Sequence, residues 1–216
     1  MEVKRITYEQ TKDWLLIKHY AHRMPSISYA FGLYEGDYLC GIVCYGKPPS
    51  PSLCKGLCGE EYSQYVLELS RLAINSDAPK NSASFLVGNS IKKLPKDTIV
   101  VSFADTAMNH NGYIYQASNF IYTGLSAKRT EWAVRGKEHI HAKSLADQGS
   151  NTEGKRNIDV LKERYGDDFY YRERSRKHRY VFFRNRRFLK FLKYPVLPYP
   201  KEESLKYTCV DIKETK

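Results

Sequence analysis

The chain has 216 residues, 42% of them hydrophobic and 13% aromatic, enough for one ordinary domain with a real core, which excludes global disorder. Thirty-five Lys and Arg against 24 Asp and Glu give a net charge of +11, and the pI is near 9.3. That excess points to a polyanionic partner, because basic side chains gain affinity by releasing counterions from phosphates.

In chain order, residues 8–20 read as a short helix capped at Thr11 or Asp13. Tyr29–Tyr34 and Tyr38–Tyr45 read as a β-hairpin around Glu35-Gly36-Asp37. Residues 46–60, with Pro48, Pro49, Pro51 and several glycines, read as loop. Tyr65–Ile74 alternates as a strand, and a turn at Asn75–Pro79 leads into a helix over Ser82–Leu94. Thr98–Ala104 is an apolar run of buried-strand type. Tyr113–Asn119 suggests a helix and Phe120–Gly124 a strand. Residues 136–157 look like a polar excursion, followed by a charged helix near Ile158–Tyr165. Tyr180–Phe183 reads as a strand, and the prolines of Tyr194–Pro200 prevent regular structure there.

This succession is the order expected of a GNAT-type acyltransferase: an α/β fold with a mixed sheet flanked by helices. Residues 1–150 are expected to form the catalytic domain, and 151–216 a basic, DNA-binding C-terminal extension packed on it. In such a fold the strand-to-helix turn offers backbone N–H groups to the pyrophosphate of an acyl-CoA (acetyl-CoA). Here Asn81, Ser82 and Ser84 supply side-chain donors. The usual glycine-rich fingerprint is absent, and Ser82 as an ordinary N-cap is the competing reading.

Ten basic residues and one acid lie between Arg172 and Lys193, so +9 of the net +11 is confined to 22 residues. Arg172, Arg174, Arg176, Lys177, Arg179, Arg186 and Arg187 are the expected DNA contacts, interleaved with aromatics. No apolar run approaches the roughly 20 residues of a bilayer span. The N-terminal residues lack a signal-peptide core, so a cytoplasmic protein without a membrane partner is expected. Five cysteines, an odd number, agree with a reducing compartment. Cys40 and Cys44 read as same-face burial on a strand, with no metal site assigned. The oligomeric state is left open, and a homodimer is compatible with the sequence.

A more specific likeness runs through His19-Tyr20 with Met24-Pro25, Leu67–Leu72, Pro79 and Ser82. It continues through Val101–Asp105, His110, Gly112, Ile114–Asn119 and Ile121–Gly124, with His141, Lys143 and Ser144 as a weaker element. In order and spacing these resemble the bacteriophage Mom family over roughly residues 19–144. The resemblance implies a GNAT-like fold and conversion of adenine in phage DNA to its N6-carbamoylmethyl form, protecting it from restriction. A plain acetyl transfer would leave an acetamide on N6, so the route from donor to product includes a further chemical step.

An adenine amine is a weak nucleophile that must be positioned and deprotonated. Asp105, at the end of a buried strand, is a candidate to take the N6 proton or hold the base edge; a loop cap is the alternative. Tyr115 and Ser118, on one helix face, are candidate proton donors to a leaving thiolate. Glu68 and Arg71, three apart on one strand, are expected on opposite faces, Glu68 toward the base and Arg71 toward phosphate or donor. His19 and Tyr20 suit stacking on a flipped adenine. The competing readings are a noncatalytic phage DNA-binding protein and a GNAT acetyltransferase acting on protein or a small amine.

Overall fold

In the computed structural model, which describes residues 1–140, 142–151 and 153–201, the chain opens on strand β1 (Glu2–Arg5). Helix α1 (Tyr8–Asp13) follows and runs into a π-turn, Trp14–Lys18. Its cap is Thr7, one turn before the expected residues: Thr7 Oγ1 accepts from the Gln10 N–H, and Gln10 Oε1 accepts from the Thr7 N–H. Thr11 is buried inside the helix and donates to the Tyr8 carbonyl at 2.6 Å instead.

The hairpin is found as β2 (Tyr29–Glu35) and β3 (Tyr38–Gly46). The stretch expected to be loop holds helix α2 (Pro51–Cys58). Ser50 caps it and Pro51 sits in the first turn, where its missing N–H costs nothing. Then come β4 (Val66–Ile74), α3 (Ser82–Ile91), β5 (Ile99–Asp105), α4 (Tyr113–Ala117) and β6 (Ile121–Leu125). Past β6 lie β7 (Arg129–Val134), α5 (Ala142–Gln148), α6 (Asn157–Tyr165) and β8 (Phe169–Arg174), and β9 (Lys177–Phe183) comes last.

Seven strands form one mixed sheet in the order β1-β2-β3-β4-β5-β9-β6. All neighbours are antiparallel except β4 and β5. This is the mixed α/β class the sequence led us to expect, and the order of elements through β6 agrees with it apart from β1 and α2, which were not expected. Leu86, Val87 and Ile91 of α3 join Val43, Tyr45, Leu67, Leu69, Val100 and Phe120 in the largest core cluster, against which Ile114 and Tyr115 of α4 pack. On the opposite face Trp14 and Leu15 pack on Ile42 and Cys44, and Cys54, Leu57 and Cys58 of α2 pack on Val66, Ile99, Val101 and Val181. The tail runs beside the outer strand: the Leu197 N–H donates to the Tyr122 carbonyl at 3.0 Å and the Tyr199 hydroxyl to that of Phe120 at 2.6 Å.

The described chain divides into Met1–Leu125 with the residues from Lys177 to Lys201, and Ser126–Arg176. The expected boundary at residue 150 is therefore not the observed one. β9 comes from the basic stripe, yet four of its residues in a row, His178–Val181, are buried, because it pairs with both β5 and β6. The segment Ser126–Arg176 has its own small core of Val134, Leu145 and Leu161, with Trp132, Tyr165 and Phe169 against it, beside the antiparallel β7–β8 ribbon.

Candidate active site

β4 and β5 are paired from Val66↔Ile99 only as far as Leu69↔Ser102. Beyond that rung β4 continues to Ile74 and β5 to Asp105 without pairing each other, so the two strands fork. The buried Ser102 hydroxyl donates to the Leu69 carbonyl at 2.9 Å and closes the last rung. An opening beyond the carboxyl ends of parallel strands is where α/β folds place ligands.

Against β3, β4 registers Leu69 with Tyr45 and Arg71 with Cys44, leaving Ser70 as an extra residue. This β-bulge shifts the phase of alternation. Leu67, Leu69, Leu72 and Ile74 all turn to the main core. Glu68 and Arg71 consequently share the other side, where each acts electrostatically on the other. The expectation that they point to opposite faces is corrected by that one inserted residue. The Arg71 Nη1 donates to the Ser70 carbonyl at 2.7 Å, whereas its Nε is buried without a hydrogen-bond partner.

Glu68 is partly buried, and burial raises its carboxyl above the usual range; Arg71 and Lys177 act in the opposite direction. Asp105 ends β5 opposite Lys177 of β9, and the Lys177 ammonium lies 3.2 Å from Asp105 Oδ2. Asp105 Oδ1 accepts from the Ala107 N–H at 3.0 Å. The cap reading of Asp105 is thus met by Oδ1, while Oδ2 is paired with Lys177. His110, after the same loop, is pulled below the usual histidine range by burial, partly offset by Asp105.

Tyr115 projects from α4 against the rings of Phe120 and Tyr180, with centroids 5.5 and 5.4 Å away. Burial pushes its hydroxyl up to about 12, although a hydrogen bond with Ser102 pulls it down, and Tyr20 and Glu68 are near enough to raise it. Ser118 caps the C-terminus of α4, and its Oγ is buried without a hydrogen-bond partner. Gly112 introduces α4 with φ +81°, and a Cβ there would collide with the Tyr180 ring, so only glycine fits.

His19 is delivered by the π-turn, which Lys18 ties to Asn75 beyond the end of β4 by a 3.0 Å hydrogen bond. His19 is 5% exposed and stacks on Tyr20 with centroids 4.4 Å apart. Its Nδ1 accepts from the Ala21 N–H at 3.1 Å. Burial first, then Arg71 and His22, lower its pKa to about 4, so the ring is neutral at physiological pH. The structure therefore brings His19, Tyr20, Glu68, Arg71 and Asp105 to one face of the fork, while Tyr115 packs on the main-core side and is close enough to Tyr20 and Glu68 to feel their charge.

The turn expected to hold the donor is only partly available. Asn81 takes a left-handed conformation at the head of α3, with no side-chain cap. The buried Ser82 hydroxyl donates to the Pro79 carbonyl at 2.6 Å, and that of Ser84 to the Asn81 carbonyl at 3.1 Å.

The basic stripe is not uniformly exposed. Arg179 is 8% exposed and belongs to the core. Its Nε donates to Thr123 Oγ1 at 2.8 Å, its Nη2 to the Thr123 carbonyl at 3.1 Å, and its guanidinium lies 3.5 Å from the Tyr194 ring centre. That burial corrects its expected place among the DNA contacts. Arg172 pairs with Glu131 at 2.8 Å, and Arg176 Nε donates to the Ser126 carbonyl at 2.7 Å. Arg174, Arg186 and Arg187 are exposed. Cys40 and Cys44 enter different core clusters and hence opposite faces, because a second register shift falls between Leu33 and Tyr34 opposite Cys40.

Sequence reasoning missed Lys177 and Ser102 as members of the site, and Ser70 as its organiser. The signal for Ser70 was legible, since the apolar residues of β4 break phase between Leu69 and Leu72. Nothing local marks Lys177, whose place depends on which strand β9 joins.

The model of the Mom protein family matches residues 1–201. The methylcarbamoylase mom of Escherichia phage Mu is 28% identical over 211 residues, covering 92% of this chain and 85% of that protein. An N-acetyltransferase from Staphylococcus aureus has a TM-score of 0.43 and 16% identity, covering 85% of this chain and 98% of its own. A mutant agmatine N-acetyltransferase in its apo form has a TM-score of 0.39 and 11% identity, covering 84% of this chain and 98% of its own.

Proposed function

Because the chain belongs to the Mom protein family, we propose that it modifies adenine in phage DNA, attaching a carbamoylmethyl group to N6 and masking the DNA from restriction. The family match carries this reading, and the polar cluster at the fork supplies chemistry that DNA binding alone does not need. The enzyme is a transferase acting in the cytoplasm of the host; no helix among the described residues is long and apolar enough to cross a membrane.

In this reading the target adenine leaves the duplex stack and lies against Tyr20 and His19, whose stacked rings offer an aromatic wall. The N6 amine has two protons. Asp105, held by Lys177 and the Ala107 N–H, accepts a hydrogen bond from one and so orients the amine. Glu68 takes the other as the bond to the incoming carbon forms, burial making it a stronger base than an exposed carboxylate. Tyr115, kept protonated by burial, donates to the leaving group. Arg71 Nε and Ser118 Oγ are buried donors awaiting a partner, and substrate or donor atoms satisfy them.

An acyl-CoA fits this site in part. The orphaned Arg71 Nε and the first turn of α3, with Lys80 and Asn81 beside it, could hold its phosphates, whereas Ser82 is already committed inside the fold. When bound, such a donor would supply an activated acyl carbon, and its transfer alone would give an N6 acetamide and free thiol; the carbamoylmethyl product also needs a nitrogen donor and an N6–methylene bond formed in a further step. DNA phosphates are met by the exposed Arg186 and Arg187 and, on the segment Ser126–Arg176, by the exposed Arg174 with Arg172 and Arg176.

Co-expression with a plasmid, followed by mass spectrometry of the digested nucleosides, tests the proposal. A new adenosine species is expected, absent with Glu68→Gln and reduced with Asp105→Ala. Unmodified plasmid from cells holding folded, DNA-binding protein would favour the noncatalytic reading.

A further inference from the structure

We propose that Arg129 and Arg174, facing each other across the β7–β8 ribbon, form a clamp for a phosphate of the DNA backbone. The inference rests on the DNA-modifying reading above and names a surface for it. Arg129 of β7 is the direct register partner of Arg174 on β8. Directly opposed residues of an antiparallel pair project from the same face, and like charges there destabilise the ribbon. Both residues are exposed.

The next pair along that face shows how the ribbon balances charge elsewhere, because Glu131 faces Arg172 and the two form an ion pair at 2.8 Å. Glu131 reaches Arg174 only at 3.9 Å, and among the described residues no ion pair reaches Arg129. Lys128, Arg129, Thr130 and Glu173 line a shallow depression at this end. Glu173 pairs with Thr130 and so belongs to the opposite face. Arg129 and Arg174 are left with Glu131, 3.9 Å from Arg174, as the carboxylate of their face.

An anion between the two guanidinium groups turns this repulsion into attraction. Their planar forks match phosphate oxygens two at a time. A repulsive pair in the free protein that is relieved by the ligand is the arrangement expected of a binding surface, not of a structural one.

The test uses the full-length protein and a short DNA duplex, titrated across a salt series. Arg129→Gln with Arg174→Gln is expected to lower affinity roughly tenfold and to reduce the slope of log affinity against log salt by about 1. Arg129→Lys keeps the charge without the fork, and should fall between wild type and the double variant. Without DNA, Arg129→Gln should raise the low-salt thermal midpoint by about one to three degrees, because a repulsion is removed. A lowered midpoint without DNA would make the pair structural and overturn the clamp. Unchanged affinity and slope, with wild-type protein still modifying plasmid DNA, would overturn the clamp and leave the enzyme reading standing. Wild-type protein that neither binds the duplex nor modifies plasmid would overturn the reading beneath it.

Discussion

Replacing Arg179 with alanine separates fold from DNA binding more sharply than any other change in the basic stripe. The side chain makes two hydrogen bonds to Thr123, at 2.8 and 3.1 Å, and lies 3.5 Å from the Tyr194 ring centre. Hydrogen bonds from a charged donor contribute about 1.5–3 kcal/mol each, and a desolvated cation–π contact about 2 kcal/mol. Relief of the cost of burying the cation offsets a good part of that sum. Thr123 Oγ1 keeps its own donation to the Arg179 carbonyl at 3.2 Å, but the Thr123 carbonyl loses a partner. A net loss of about 3 kcal/mol follows, which moves a urea midpoint by about 1–2 M for typical slopes. Releasing Tyr194 should also open the tail around Tyr194–Pro200 to limited proteolysis. The salt dependence of duplex binding, measured on the still-folded fraction, should stay at the wild-type slope. An unshifted urea midpoint combined with a shallower salt slope would refute this reasoning and return Arg179 to the DNA surface.

Three further outcomes follow from the site. Burial raises the Glu68 carboxyl, so its contribution to stability is complete below the ordinary glutamate range and is lost as pH rises through the raised folded value. Glu68→Gln should therefore raise the thermal midpoint at pH 7 while abolishing adenine modification; a lowered midpoint would count against a strained base. His19 titrates near 4 in the fold against about 6.5 unfolded, so it adds stability above 6.5 that is lost as pH falls toward 4, roughly 3 kcal/mol in all. His19→Gln should flatten that acid limb in urea titrations across the window, and an unchanged limb would remove His19 as its source. Gly112→Ala combines a positive φ with a collision at the Tyr180 ring and should cost about 2–4 kcal/mol, read as a drop in thermal midpoint. A wild-type midpoint would show that Tyr180 gives way freely.

Elements with long apolar runs could be read from the residues themselves: the β2–β3 hairpin, β4, α3 and β5 fall within a few residues of their expected places. What escaped was set by neighbours. α2 hides its start in Pro51, which signals loop as readily as a first helical turn. β7 reads Arg-Thr-Glu-Trp-Ala-Val, and only its last residues are buried. The charge of the stripe masked β9 as an interior strand buried along His178–Val181, so Arg179 was placed outside and Lys177 away from Asp105. Of the expected site, Asp105, Tyr115, Glu68, Arg71, His19 and Tyr20 do converge, but the shared side of Glu68 and Arg71 depends on Ser70, one residue of register.

The position of β9 inside the sheet, between β5 and β6, also governs the order in which this protein is assembled. β5 is synthesised long before its second neighbour, and β6 has no partner in the sheet until Lys177–Phe183 emerges. During that interval the edge of β5 carrying Ile99, Val100 and Val101 is an open template for another chain. The ribosome must complete the whole of Ser126–Arg176 before the edge can close, a long-range pairing of the kind that slows folding and exposes intermediates to aggregation. A message truncated anywhere before Lys177 therefore yields a sticky fragment rather than a smaller working enzyme.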